Sequence, residues 1–219
     1  MESCLNPSHP TAKNLDRLLE LLVLCHKYAA HELEEHVASL VTPLVQDNTL
    51  PAHPITTSMN VLKVSGVVGR PIDGAARRLL LRDLWSSAIC PREVLVFAES
   101  ISDKELIGTA YYRILVQEKP EGLNPSQLQI LHRGMRRCGG EWQRIFDSWG
   151  RSLSGEKSSD HKWLHDVWCV LANAKIPWYN VVGKVEKLVS SKTKIHPACG
   201  TTQEELARVR KKVYRFFVD

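Results

Sequence analysis

His161, His165 and Cys169 stand at i, i+4 and i+8, so on a helix they would share one face, and the later stretch "HPAC" adds His196 and Cys199. Imidazole nitrogens and thiolates are the ligands that zinc takes in tetrahedral sites, which makes His165, Cys169, His196 and Cys199 a candidate zinc set. The spacing departs from familiar zinc sites, where a helical pair comes with a second, closely spaced pair. A lone cysteine on an apolar helix face is also commonly a packing residue. No metal and no cofactor are therefore assigned. The six cysteines (Cys4, Cys25, Cys90, Cys138, Cys169, Cys199) contain no CxxC pair and read as free thiols of a reducing compartment.

Other reactive patterns are weaker. His26, His31 and His36 have near-helical spacing across a turn and read as surface residues. "SGVVG" (65–69) mimics a GxxG loop, and "GRSLSG" (150–155) lacks the Lys-Ser/Thr that a phosphate loop needs; neither follows a strand. Ser, Cys, His and Asp are present, but no elbow motif gathers them. The expectation is a protein that is not an enzyme, with no catalytic residue.

The elements that would position these residues are helical. At 219 residues and 43% hydrophobic content, the chain is long enough for one large or two small domains. The longest apolar run, "LLELLVL" (18–24), is interrupted by Glu20 and is too short for a membrane span or a secretory signal. A soluble protein of the cytoplasm, the nucleus or both is expected. The net charge of +5 gathers in "RRLLLR" (77–82), "HRGMRRCGG" (132–140) and "RVRKKVYR" (208–215). The first two lie inside amphipathic patterns, where arginines usually line a solvated helix face, so nucleic acid is only the alternative partner.

One arrangement of apolar residues recurs. Leu95, Ala98, Ile101, Leu106 and Ala110 repeat as Val61, Val64, Val67, Ile72 and Ala76, and again as Leu22, Cys25, Tyr28, Leu33 and Val37. Apolar residues at i, i+3 and i+6, then at i+11 and i+15 beyond a turn, describe a helical hairpin. Three such units, too small to fold alone, are expected to stack across 15–117. Residues 1–14 read as a flexible tail and 46–57 as a connector. Pro43 should kink or close the second helix, and Gly66 and Gly69 should loosen the third. Pro91 should begin a helix and Asp103 should cap the next.

From 123 to 219 the texture changes to a Trp-rich helical bundle. Asn124-Pro125 opens a long helix that Gly139-Gly140 should bend or break, and 151–160 reads as a loop. Helices are expected over 161–176 and 177–191, the latter starting at Pro177, and Thr201-Thr202 could cap a basic terminal helix. Five of the six tryptophans (Trp142, Trp149, Trp163, Trp168, Trp178) fall here and are assigned to an aromatic core. No set of alternating strands is found, so the expected fold is all-α.

"LLELLVLCHKYAAHELEEHVASLV" is similar to the helical segment that follows the dimerisation core in fungal BTB/POZ-domain proteins, the basidiomycete group above all. His26-Lys27-Tyr28 keep its Lys-Tyr signature. Leu106, Gly108, Ala110, Tyr111 and Tyr112 resemble its Leu-x-Gly-x-Ala-Tyr-Tyr helix. "LNPSQLQILHRG" resembles the next helix start, and "HPACG" with "LARVRKKVYRFF" the closing segment. The likeness runs from Leu15 onward and does not include the N-terminal core, which is expected to be missing. It implies a post-BTB, BACK-like interaction module with protein partners, a scaffold or the substrate-recognition arm of a ubiquitin ligase. The family's dimer and cullin contacts lie in the core and transfer to no residue numbered here.

Overall fold

In a computed structural model the chain is all-α: no strand occurs among the described residues, which are 12–45, 55–69, 72–117, 120–153, 169–171, 174–190 and 202–218. Two compact units divide between Ile101 and Ser102, within the third expected hairpin.

The first unit opens with α1 (Ala12–Lys27), whose Leu15, Leu19, Leu22 and Cys25 form a buried stripe. The helix stops where Ala29 enters the left-handed region at φ 52°. There the Ala30 amide donates to the Cys25 carbonyl at 2.9 Å and the Ala29 amide to the His26 carbonyl at 3.2 Å, a Schellman closure built without glycine. Helix α2 (His31–Val41) buries Val37, Ala38 and Val41, and Pro43 follows in a 3-10 turn over Thr42–Val45 that ends the hairpin.

Helix α3 (Ile55–Val68) begins inside the expected connector and ends at Gly69, whose φ of 68° is the left-handed conformation that suits glycine. Gly69 thus terminates α3 and does not loosen it. Helix α4 (Gly74–Trp85) ends in a second Schellman closure at Ser87 (φ 60°), with the Ala88 amide on the Asp83 carbonyl at 2.9 Å. Helix α5 (Pro91–Ser100) starts at its proline as expected. In this unit α1 packs on α2 and on α3, and α3 packs on α4.

The repeated positions bury unevenly. Those at i, i+3 and i+15 are buried in all three hairpins: Leu22, Cys25 and Val37; Val61, Val64 and Ala76; Leu95, Ala98 and Ala110. At i+6, Tyr28 and Val67 are exposed, and at i+11 Leu33 is exposed. A residue turns by about 100° on a helix, so each three-residue step falls about 60° behind, and a second step leaves the core face.

The second unit is centred on α6 (Lys104–Val116), where Asp103 Oδ1 accepts from the Glu105 and Leu106 amides, both at 3.1 Å. Leu106, Gly108, Ala110, Tyr111, Tyr112, Ile114 and Leu115 are all buried. Helix α7 (Pro125–Leu153) starts with a reciprocal cap: Asn124 Oδ1 accepts from the Gln127 amide at 2.9 Å, and Gln127 Oε1 accepts from the Asn124 amide at 3.0 Å. It then runs unbroken through Gly139-Gly140, contrary to expectation. Its apolar face of Leu131, Cys138, Trp142 and Ile145 continues on both sides, and a Cβ at Gly139 would fall into the ring of Trp178. Gly139 is therefore a seat for that ring.

Residues 151–153 continue α7 and are not part of a loop; the remainder of the expected loop, 154–160, lies outside the described residues, as does 161–168. Residues 169–171 are helical. Helix α8 (Val181–Ser190) begins at Val181 and not at Pro177, because Asn180 caps it: Asn180 Oδ1 accepts from the Gly183 amide at 2.9 Å. Helix α9 (Thr202–Val213) packs on α8, and the short α10 (Arg215–Val218) packs on α6 and α7. Gly108 lets the backbone of Tyr214 close onto α6, and Gly134 admits the Phe217 ring. Phe217 stacks on Tyr111 at 6.1 Å and meets Tyr112 edge-on at 6.5 Å.

Candidate interaction surfaces

Cys169 is half-buried, whereas His165, His196 and Cys199 lie outside the described residues. Among the described residues no three His, Cys, Asp or Glu side chains gather where they could hold a metal. Cys25 and Cys138 are buried and Cys90 is exposed. His26 meets the buried Glu34 across the first hairpin at 3.5 Å. The GxxG mimic at 65–69 is the C-terminal turn of α3 and forms no separate loop. No helix among the described residues is long and apolar enough to cross a membrane.

The first unit carries an apolar surface on its opening hairpin. Leu21 and Leu24 on α1, and Tyr28 in the turn just past its end, are 37%, 49% and 72% exposed. Leu33 and Leu40 on α2, seven residues apart, are 48% and 43% exposed. Among the described residues, five of the eight large exposed hydrophobic side chains thus belong to one hairpin. Large apolar residues that recur along one hairpin, beside the apolar stripes that already serve the core, are what a protein docking surface requires. The signal was present in the sequence: "LLELLVL" has more leucines than one buried face of α1 can use.

Two of the three arginines of the "RRLLLR" stretch in the same unit are locally neutralised. Arg77 pairs with Asp73 at 3.3 Å and Arg82 with Asp83 at 3.0 Å.

In the second unit the buried polar centre is the Tyr112 hydroxyl, which donates to Asn180 Oδ1 at 2.7 Å and accepts from the Val182 amide at 3.1 Å. Burial, with Cys138 nearby, pushes its pKa far above the ordinary tyrosine range. This arrangement completes the N-terminal cap of α8 and offers no reactive group to solvent. Burial also pushes the Cys138 thiol up to about 12, so it is no nucleophile at neutral pH.

The tryptophans divide. Trp142 is buried, and the Lys184 ammonium lies 4.6 Å from its ring centre. Trp178 is 52% exposed and lies across α7 at Gly139, so it departs from the expected aromatic core. The side chain of Trp149, and Trp163 and Trp168, lie outside the described residues.

Comparison with protein-family models, with curated proteins and with solved structures gives no match.

Proposed function

We propose that this chain is a non-enzymatic protein-interaction module whose α1–α2 hairpin docks an apolar surface of a protein partner. The observation that carries this reading is the set of exposed Leu21, Leu24, Tyr28, Leu33 and Leu40 on one hairpin. Covering a leucine or a similar side chain contributes roughly 1.5–3 kcal/mol, so two or three anchors of this kind supply most of the affinity of a modest interface. The likeness of this hairpin to the helices that follow a BTB/POZ core supports the same role, as a scaffold or the substrate-recognition arm of a ubiquitin ligase in cytoplasm or nucleus.

The test is affinity co-purification from the native cell with mass spectrometry, on the natural chain, on a Leu24→Asp/Tyr28→Ser variant and on Val96→Asp. Val96 is 67% exposed on α5, away from the hairpin, and serves as control. The reading expects a defined set of proteins that the first variant loses and the control retains. Cullin or other ubiquitin-ligase components in that set support the adaptor role, and other proteins support a scaffold. Identical recovery on all three chains would remove the hairpin from the interface.

A further inference from the structure

The second unit holds 20 Lys and Arg against 13 Asp and Glu, while the first holds 9 against 11. Most of the surplus lies on α7, α9 and α10, which carry ten Lys and Arg against four Asp and Glu; α10 packs on both α7 and α9. Two basic clusters some seventy residues apart in sequence meet there. Arg137 on α7 donates to the Phe216 carbonyl of α10 at 3.3 Å. Glu141, one turn further along α7, forms an ion pair with Arg144, and Lys212 and Arg208 of α9 also help to hold its carboxyl below the usual range. One carboxylate thus sits among several cations.

On α7, Arg133, Arg137 and Arg144 follow one another at i, i+4 and i+11 along the exposed face, and Gly140 between them is open to solvent. Arg136 and Arg133 line a depression of about 530 Å³ with Ser126, Gln129, Ile130 and His132. Arg136 is also a helix neighbour of Gly139, on which the half-exposed Trp178 ring rests. An exposed aromatic face beside a run of guanidinium groups is the combination that single strands use, since bases stack and backbone phosphates pair with arginine forks. An acidic peptide would use the charge but has no need of the ring.

We propose that this face of the second unit binds single-stranded nucleic acid, its phosphates on Arg133, Arg136, Arg137 and Lys212 and a base stacked on Trp178. The site is independent of the apolar hairpin of the first unit.

The test is fluorescence anisotropy of the full chain with a labelled oligouridine of about 15 nucleotides, matched to the span of known single-strand sites, over a series of salt concentrations. Binding should weaken with salt at a log–log slope between about −2 and −3, as three or four phosphate contacts on a single strand require. Arg133→Gln/Arg136→Gln should flatten that slope by about one unit or more. Trp178→Leu should weaken binding by roughly tenfold and leave the slope unchanged. Arg77→Gln/Arg82→Gln, in the first unit, should bind as the natural chain does. Far-UV circular dichroism verifies the fold of each variant. No binding at low salt, equal loss from the Arg77/Arg82 variant, or a slope that Arg133→Gln/Arg136→Gln leaves unchanged would each overturn the proposal. A duplex of the same length competing equally would refute single-strand stacking, and poly-glutamate competing equally would mark an acidic protein as the partner instead.

Discussion

The Tyr112 hydroxyl and the Asn180 side chain are joined by a 2.7 Å hydrogen bond that ties α6 to the start of α8, although 68 residues separate them in sequence. Asn180 Oδ1 accepts both from this hydroxyl and from the Gly183 amide, while the hydroxyl accepts from the Val182 amide. The first turn of α8 is thus satisfied by one side chain from its own cap and one from another helix. Tyr112→Phe removes the hydroxyl and leaves the Val182 amide buried without that partner, which should cost about 1–3 kcal/mol in denaturant unfolding. Asn180→Ala should cost about 1 kcal/mol as the loss of a cap, and the double variant less than the two together, because the two residues share one bond. Additive losses would refute the shared network.

Cys138 gives the second unit an alkaline weakness. Burial first, and the nearby Glu141 second, raise its thiol from 9.0 to about 12. Above pH 9.0 the unfolded chain loses this proton while the folded chain keeps it, so the unfolded state binds fewer protons and stability falls as pH rises. The contribution is present in full below 9.0 and declines toward 12, by at most about 1.4 kcal/mol per pH unit. Tyr112, also raised by burial, adds a fall of the same sign above its ordinary value of 10.0. Cys138→Ala should flatten the decline between 9.0 and 10.0 when unfolding free energy is measured across that interval; an unchanged slope would show that the thiol does not contribute.

At the ends of α1, α4 and α5 a residue with a side chain stands where glycine is the ordinary choice: Ala29, Ser87 and Ser102. Ala29 has φ 52° and Ser102 φ 56°, and each lies seven residues beyond an equivalent buried leucine, Leu22 or Leu95. The left-handed region costs a residue with a Cβ roughly 1–2 kcal/mol, part of which glycine returns as greater freedom of the unfolded chain. Ala29→Gly and Ser102→Gly should therefore each stabilise by about 0.5–1 kcal/mol, seen as a higher Tm in thermal unfolding. A lower Tm would mean that the side chains contribute contacts that outweigh the backbone relief.

What the sequence made legible follows from how local each signal is. Asp103, Pro91 and Asn124-Pro125 start their helices because a cap or a helix-start proline acts within one turn, and the structure places all three as the sequence predicts. The apolar template identified core positions where its spacing stayed in phase with the helix, at Leu22, Cys25 and Val37 for instance, and failed at Tyr28, where two three-residue steps had turned off the core face. Trp178 was assigned to a core because tryptophan is commonly buried, whereas its exposure depends on a seat supplied by Gly139, 39 residues earlier. The basic surface was hidden for the same reason: "HRGMRRCGG" reads as a solvated helix face and "RVRKKVYR" as part of a basic terminal helix, and nothing joins them until α10 brings Phe216 to Arg137. The candidate zinc ligands His165, His196 and Cys199 fall outside the described residues, so the structure places only Cys169 of that set.

The neighbouring glycines of α7 make a sharper case, because the sequence assigned both the same role and the structure separates them. A Cβ at Gly140 would meet nothing within 4 Å, so Gly140→Ala should add helix propensity at no steric cost and stabilise by up to about 1 kcal/mol. A Cβ at Gly139 would strike the Trp178 ring, and the same substitution there must displace an indole that also packs edge-on against Tyr179 at 5.6 Å. Gly139→Ala should therefore gain nothing or lose stability despite the same propensity term, and should raise the solvent exposure of Trp178, read as a red shift of emission in a chain whose other five tryptophans are replaced by phenylalanine. Comparing the two alanine variants by thermal unfolding separates propensity from packing. If both stabilise equally, Gly139 is no seat for Trp178, and the aromatic edge of the proposed nucleic-acid surface loses its anchor.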